Sequence, residues 1–265
     1  MAGCNLGLEG FRVAVTSSSA GIGLGAATVM GRCGARVVIT GRREDRLRSS
    51  VEALRGMGVE AYGVRSDFSL EGEAARFVRE AASLLGGLDT LVFVPPQPPG
   101  GRFTEIGMGE WRLSYRLLVE SALEAIYEAL PHLERGSSPS IIVSTSIAAW
   151  EPISGIATSS VLRPALHGLV TLLARDLAPR GIRVNGVVPG YFMTDRLREV
   201  AEMRAKARGG SVEEELRRLE EEVPLGRAGS TEEIGWVIAF LASPRASYVT
   251  GALVPVTGGL HRSTR

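Results

Sequence analysis

Lysine is almost missing from this chain: Lys206 is the only one among 30 basic residues, so nearly every cation is an arginine. Cysteine is as scarce, with Cys4 and Cys33 alone. Two thiols are too few for a disulfide scaffold and match no metal-ligand spacing, which suits a reducing cytoplasm and leaves no metal site to expect. There is no charge excess either. A formal net charge of +1 and a pI near 7.8 exclude the basic field that binding to nucleic acid or an anionic membrane would require. No apolar run approaches the ~20 residues of a membrane-spanning helix. Met1 to Gly10 hold neither a basic segment nor an apolar stretch of the signal-peptide kind. A cytoplasmic protein follows as the expectation.

A linker is also lacking. No Pro/Gly/Ser-rich stretch divides the 265 residues, so one domain over 1–265 is expected, large enough to bury a core without staples. Within it, apolar β-rich runs at about 11–16, 35–40, 59–65, 88–94, 141–146, 182–188 and 253–256 alternate with helical stretches. That alternation predicts a doubly wound α/β Rossmann fold: a seven-stranded parallel sheet with right-handed crossovers and helices on both faces. One long helix is expected at about 105–134 and another ending near Arg180. Residues 191–226 are dense in Glu and Arg, with Gly209-Gly210 dividing two helical stretches. They follow the C-terminal end of a strand, where such sheets bind ligands, so the segment reads as a helical lid or as a solvated excursion.

The first strand runs into Thr16-Ser17-Ser18-Ser19-Ala20-Gly21-Ile22-Gly23 and then a helix. Small residues at such a turn let the backbone approach a pyrophosphate, and the helix behind it offers free N–H groups and a positive dipole end. Further along come Asp67 after the third strand, Asp89 before the fourth, Arg183-Val184-Asn185 and Pro189-Gly190 around the sixth, and Val249-Thr250-Gly251 with Gly258-Gly259 near the end. With these landmarks in this order, the chain resembles the short-chain dehydrogenase/reductase superfamily over nearly its whole length. The resemblance is to the 3-oxoacyl-carrier-protein-reductase-like members.

The resemblance implies an oxidoreductase that binds a nicotinamide dinucleotide and a small carbonyl or alcohol substrate, assembled as a homotetramer or homodimer. Ser17, Ser19, Gly21, Ile22 and Gly23 would hold the pyrophosphate. Ser17 stands where the family has its first glycine, and serine is strained at a positive φ where glycine is not. A carboxylate at the end of the second strand would bind the adenosine ribose, but here Gly41 is followed by Arg42 and Arg43, which favours NADP over NAD. Asp67 corresponds to the residue that contacts the adenine, with Phe68 beside it. Pro189, Gly190 and Thr194 correspond to the strip along the nicotinamide end, and Thr194 also suits a helix N-cap.

At the chemical positions the pattern breaks. The family serine falls on Ser146; the tyrosine thirteen residues later is Ser159 and the lysine four beyond it is Arg163. Arg163 could still bind ribose hydroxyls. An aliphatic hydroxyl is far less acidic than a phenol with pKa near ~10, so Ser159 does not inherit the proton-donor role by replacement. Pro164 implies that the helix either starts there or is kinked at the Ser159/Arg163 face. The family's relay asparagine is Leu118, and its Asn-Asn-Ala-Gly turn is Phe93-Val94-Pro95-Pro96. Tyr191, Trp150 and Glu151 are further candidates to face the pocket, as donors or as walls, and His167 reads as a packed helix histidine. Three functions stay open: an NADP-linked reductase with a rearranged proton donor, a dinucleotide-binding sensor or assembly protein without turnover, and a lyase or dehalogenase on the same fold.

Overall fold

The computed structural model describes residues 4–262. The apolar runs become β1 (Arg12–Val15), β2 (Arg36–Gly41), β3 (Ala61–Arg65), β4 (Thr90–Phe93), β5 (Ser140–Ser144), β6 (Arg183–Pro189) and β7 (Leu253–Val256). All seven pair in parallel, in the order β3-β2-β1-β4-β5-β6-β7. Every residue of β4, β5 and β6 is buried, as a strand covered on both faces must be.

Helices α1 (Gly21–Arg32), α2 (Glu44–Gly56) and α9 (Thr231–Ala242) cover one face of the sheet. The other face carries α3 (Glu73–Leu85), α5 (Ser121–Leu133) and α6 (Ala157–Asp176). The Rossmann arrangement expected from the strand–helix alternation is therefore present. Chain order reverses between β1 and β4, and the crevice there lies at the carboxyl ends of the strands.

Three expectations change. The helix expected at about 105–134 is broken into α4 (Met108–Tyr115), a π turn at Arg116–Glu120 and α5. The wider turn brings Leu117 and Leu118 together into the core while Arg116 stays paired with Glu120 and Glu124. Pro164 does not begin its helix: α6 starts at Ala157, set by the Ser160 N–H on the Ile156 carbonyl and the Ser160 hydroxyl on Ile153. Ser159 and Arg163 are thus one turn apart on a single helix.

The cysteines are the third correction. Rather than two free thiols, Cys4 and Cys33 form a disulfide across 29 residues. Residues 4–8 fold back over the end of α1, anchored by buried Leu8 and by the Arg245 guanidinium on Asn5. Cysteine scarcity therefore gives no support to a reducing compartment. Among the described residues no helix is long and apolar enough to cross a membrane, and no cluster of His, Cys, Asp or Glu could hold a metal ion.

After β6 the chain forms α7 (Asp195–Arg208) and α8 (Val212–Glu221), divided by Gly209 at φ +71°. Leu197, Ala201 and Leu219 give this pair its own small apolar cluster. The Glu215 carboxylate, fully buried, ties Arg208 of α7 to Arg218 of α8, so the two helices behave as one packed unit.

Candidate functional site

The turn from β1 into α1 opens the crevice. Ser17 takes the left-handed conformation at φ +46° and Gly21 at φ +57°. A Cβ on Gly23 would stand 2.7 Å from the Ser17 carbonyl oxygen and 2.8 Å from the Ser18 Cα, so only glycine lets the turn close on the helix. Ala20, at the N-cap, makes no side-chain cap bond, which leaves the N–H groups of the first turn for an anion. Ser17 and Ile22 line the main cavity, and Ser19 lines a second hollow beyond it. Ser18 does not serve a ligand: its hydroxyl donates to the Val15 carbonyl at 2.6 Å and accepts from the Thr40 N–H at 2.9 Å. The residues present fit a dinucleotide's pyrophosphate.

The second hollow, about 170 Å³, is lined by Ser19, Gly41, Arg42, Asp67 and Phe68. Gly41 packs directly on the turn; a Cβ there would lie 2.3 Å from Ser19 Oγ and 2.7 Å from its Cβ. No carboxylate side chain can be placed at this strand end without moving Ser19. Arg42 has no ion-pair partner among the described residues. Arg43, by contrast, lies outside the hollow and is bound to Asp45 at 3.0 Å. Asp67 accepts from the N–H and hydroxyl of Ser69 at 3.0 and 2.8 Å, which fixes its loop. Phe68 is buried against Phe77, with ring centroids 6.2 Å apart.

The main cavity measures about 350 Å³ and brings together Ser146, Ser159, Arg163, Tyr191, Thr194 and the Pro189-Gly190 strip. Ser146 follows β5, where its Oγ accepts from the Ala148 N–H at 3.1 Å and keeps its proton for another acceptor. Ser159 is only 4% exposed. Arg163 donates to the Thr145 carbonyl at 2.7 Å, and no carboxylate lies within ion-pair distance of it among the described residues. Burial, with repulsion from Arg196 second, lowers its pKa to about 10. Thr194 is the N-cap of α7 by backbone conformation, but its hydroxyl turns to the Phe192 carbonyl at 3.2 Å instead of capping.

Tyr191 forms cavity wall without offering its hydroxyl, which donates to Glu222 at 2.9 Å beside Arg204. Burial, then Glu222, raises that phenol to about 12. Trp150 and Glu151 do not line the cavity. Trp150 sits between the rings of His167 and His261, at 5.5 and 5.6 Å, and Glu151 accepts from the Arg262 N–H. His167 lies one turn beyond Arg163, its Nε2 2.9 Å from Thr145 Oγ1. Since Thr145 Oγ1 donates to the Val187 carbonyl at 3.1 Å, the imidazole is the donor of that pair.

One cavity residue, and one buried residue behind the cavity wall, took roles that were not foreseen. Arg196 reaches the cavity from the first turn of α7, and its position two residues after Thr194 was the available signal. Thr16 lies behind the wall: its buried hydroxyl donates to the Val94 carbonyl at 2.8 Å and accepts the Val94 N–H at 2.7 Å. It pins the start of the proline loop, and Pro95 and Pro96, which have no N–H to give, form the facing wall.

The family described as enoyl-(acyl carrier protein) reductase matches residues 16–261. The chain is 32% identical to dehydrogenase/reductase SDR family member 4 of Oryctolagus cuniculus over 246 residues, 92% of this chain and 91% of that protein. Among solved structures, L-sorbose reductase from Gluconobacter frateurii, complexed with NADPH and L-sorbose, superposes with a TM-score of 0.91 at 29% identity, covering 98% of this chain and 100% of that one. An NADPH-bound short-chain oxidoreductase from Pseudomonas aeruginosa PAO1, described as containing an atypical catalytic center, gives 0.84 at 29% identity, covering 97% and 99%.

Proposed function

The chain belongs to the short-chain dehydrogenase/reductase family, and from that premise we propose that it moves a hydride between NADP(H) and the carbonyl or alcohol of a small molecule, with an atypical arrangement in place of the tyrosine. One observation carries this reading: the turn residues Ser17, Ala20, Gly21 and Ile22 line the same cavity as Ser146, Ser159 and Arg163. NADP is preferred to NAD because a side chain at Gly41 would collide with Ser19, while Arg42 beside the second hollow has no ion-pair partner among the described residues. Arg42 is assigned to the added phosphate and Asp67 and Phe68 to the adenine side.

The bound nicotinamide supplies the hydride. The rest falls to the chain. Ser146 donates a hydrogen bond to the carbonyl oxygen without giving up its proton, Ser159 orients the substrate from the facing helix, and water delivers the proton that turns the alkoxide into the alcohol. Arg163 stabilises the alkoxide by charge instead of donating a proton as a phenol would. Such electrostatic help survives the loss of a general acid, whose absence alone slows a reaction by about 10²–10⁴-fold. The α7–α8 pair closes the cavity as a lid, and Tyr191 is wall. Tyr127 of α5 and Leu172 of α6, 71% and 57% exposed, form the face on which we place self-association; sedimentation of the purified chain as a monomer would remove it.

The test is NADPH with a panel of ketones, aldehydes and 3-oxoacyl thioesters. Turnover is expected, and Ser146→Ala is expected to lower it about 10²- to 10³-fold, the share of one donor at the reacting oxygen. Tight NADPH binding without turnover on any of them would favour a nucleotide-binding protein that is not an enzyme, the second reading, which Ser159 in the tyrosine position supports. No NADPH binding would remove both.

A further inference from the structure

The charge of the main cavity is one-sided. Arg163 enters from α6, half-buried, with one of its donors on the Thr145 carbonyl and no acidic partner among the described residues. Arg196 enters from α7, held on its outer side by Glu199 at 3.3 Å, while that same carboxylate oxygen also accepts from Gln97. The single carboxylate among the lining residues, Asp195, is taken by Arg46 at 2.7 Å. The same cavity is also lined by apolar Ile147, Ile153, Ile156 and Val200. Two cations brought near each other in a poorly hydrated cavity repel, and burying a cation without a counter-ion is costly.

Resting on the oxidoreductase reading above, we infer that the substrate is an oxo acid whose carboxylate is held between Arg163 and Arg196. The planar guanidinium presents paired donors that match a carboxylate, which a lysine in the same place would not. The phosphates of the dinucleotide have their own donors at the α1 N-terminus, so they do not need this pair. Ser146 and Ser159 flank Arg163 on the adjoining walls and would receive the carbonyl of the same molecule. Arg196 is thereby a specificity-determining residue.

The experiment is calorimetric titration of the purified protein with pyruvate and acetoacetate, and with their methyl esters, both with and without saturating NADPH. The acids are expected to bind about 10- to 100-fold more tightly than the esters, the range of charge-assisted hydrogen bonds. Arg196→Gln should erase most of that preference and leave the affinity for NADPH within about twofold, whereas Arg196→Lys should keep part of it. Equal binding of acid and ester by the wild-type protein would overturn the inference. So would an Arg196→Gln protein that loses NADPH affinity and keeps the preference, since Arg196 would then belong to the cofactor's phosphates. A wild-type protein that fails to bind NADPH sinks the oxidoreductase reading instead, and the acid-to-ester ratio without cofactor still judges the cavity. Thermal unfolding of each variant separates lost binding from lost folding.

Discussion

The two ends of the crevice are made of different material. At the β1–α1 end the ligand surface is backbone: the Ser17–Gly23 turn and the free N–H groups of α1, closed by the absence of a Cβ at Gly23. At the β5–α6 end it is side chain: Ser146, Ser159 and Arg163 project from a strand end and a helix whose own hydrogen bonds do not depend on them. A surface built from backbone cannot be altered without altering the fold, because a single added carbon meets a carbonyl oxygen. One built from side chains can change its chemistry while the helix beneath it stays in place. The sheet therefore predicts nucleotide binding far more firmly than it predicts a reaction.

The hardest blow to this comparison comes from refilling the chemical end. If α6 still aims its positions as the family does, Ser159→Tyr combined with Arg163→Lys should raise turnover about 10²–10⁴-fold on a substrate of the wild-type protein, the contribution of a general acid. Steady-state kcat against pH measures it. No gain, in a variant that still binds NADPH, would mean that the Pro164-bearing helix no longer presents its face to the nicotinamide. The contrast between the two ends would then be one of geometry and not of side chains alone.

At the backbone end the change is smaller and of opposite sign. Gly23→Ala forces a Cβ to within 2.7 Å of the Ser17 carbonyl oxygen. Overpacking of that kind costs about 1–3 kcal/mol, so NADPH binding should weaken about 10- to 100-fold by calorimetry, with near-ultraviolet circular dichroism checking that the fold persists. Unchanged affinity would mean that the turn has slack, and the nucleotide end would be as tolerant as the chemical one.

How much of this was legible beforehand follows the same division. Strands and most helices announced themselves through local apolar periodicity and glycine turns, which need no tertiary information, and the Ser159/Arg163 pair through its place in the family pattern counted from Ser146. Features joining distant segments did not. The disulfide depends on the segment from Cys4 doubling back over α1, and Ser18 is spent on Thr40 of a neighbouring strand. Tyr191 looked like a pocket donor because it follows Pro189-Gly190, but Glu222, contributed by the end of α8, takes its hydroxyl. Arg196 was hidden among the many arginines of residues 191–226, where composition argues only for a solvated surface.

The smallest expected effect separates the two ends by pH. His167 lies at the chemical end, on Thr145 and beside Arg163, and burial first and that cation second hold its imidazole below the usual 6.5. A histidine whose folded pKa is depressed binds fewer protons folded than unfolded, so its contribution is complete above about pH 6.5 and is lost as the pH falls below that value. The melting temperature of the wild-type protein should therefore begin to drop below pH 6.5, and the His167→Gln protein should be flat across the same interval. The acid-sensitive carboxylates lie lower: Glu73 beside Arg76 and Glu233 beside Arg227 are both held at about 2, so their contributions fade only below about 4.5. A wild-type curve without slope near pH 6 would mean that His167 is as well solvated folded as unfolded, and that the chemical end is wetter than its walls imply. The glycine turn places no titrating group of its own against the ligand, so NADPH affinity should not share that slope unless Arg163 carries the His167 titration across the cavity.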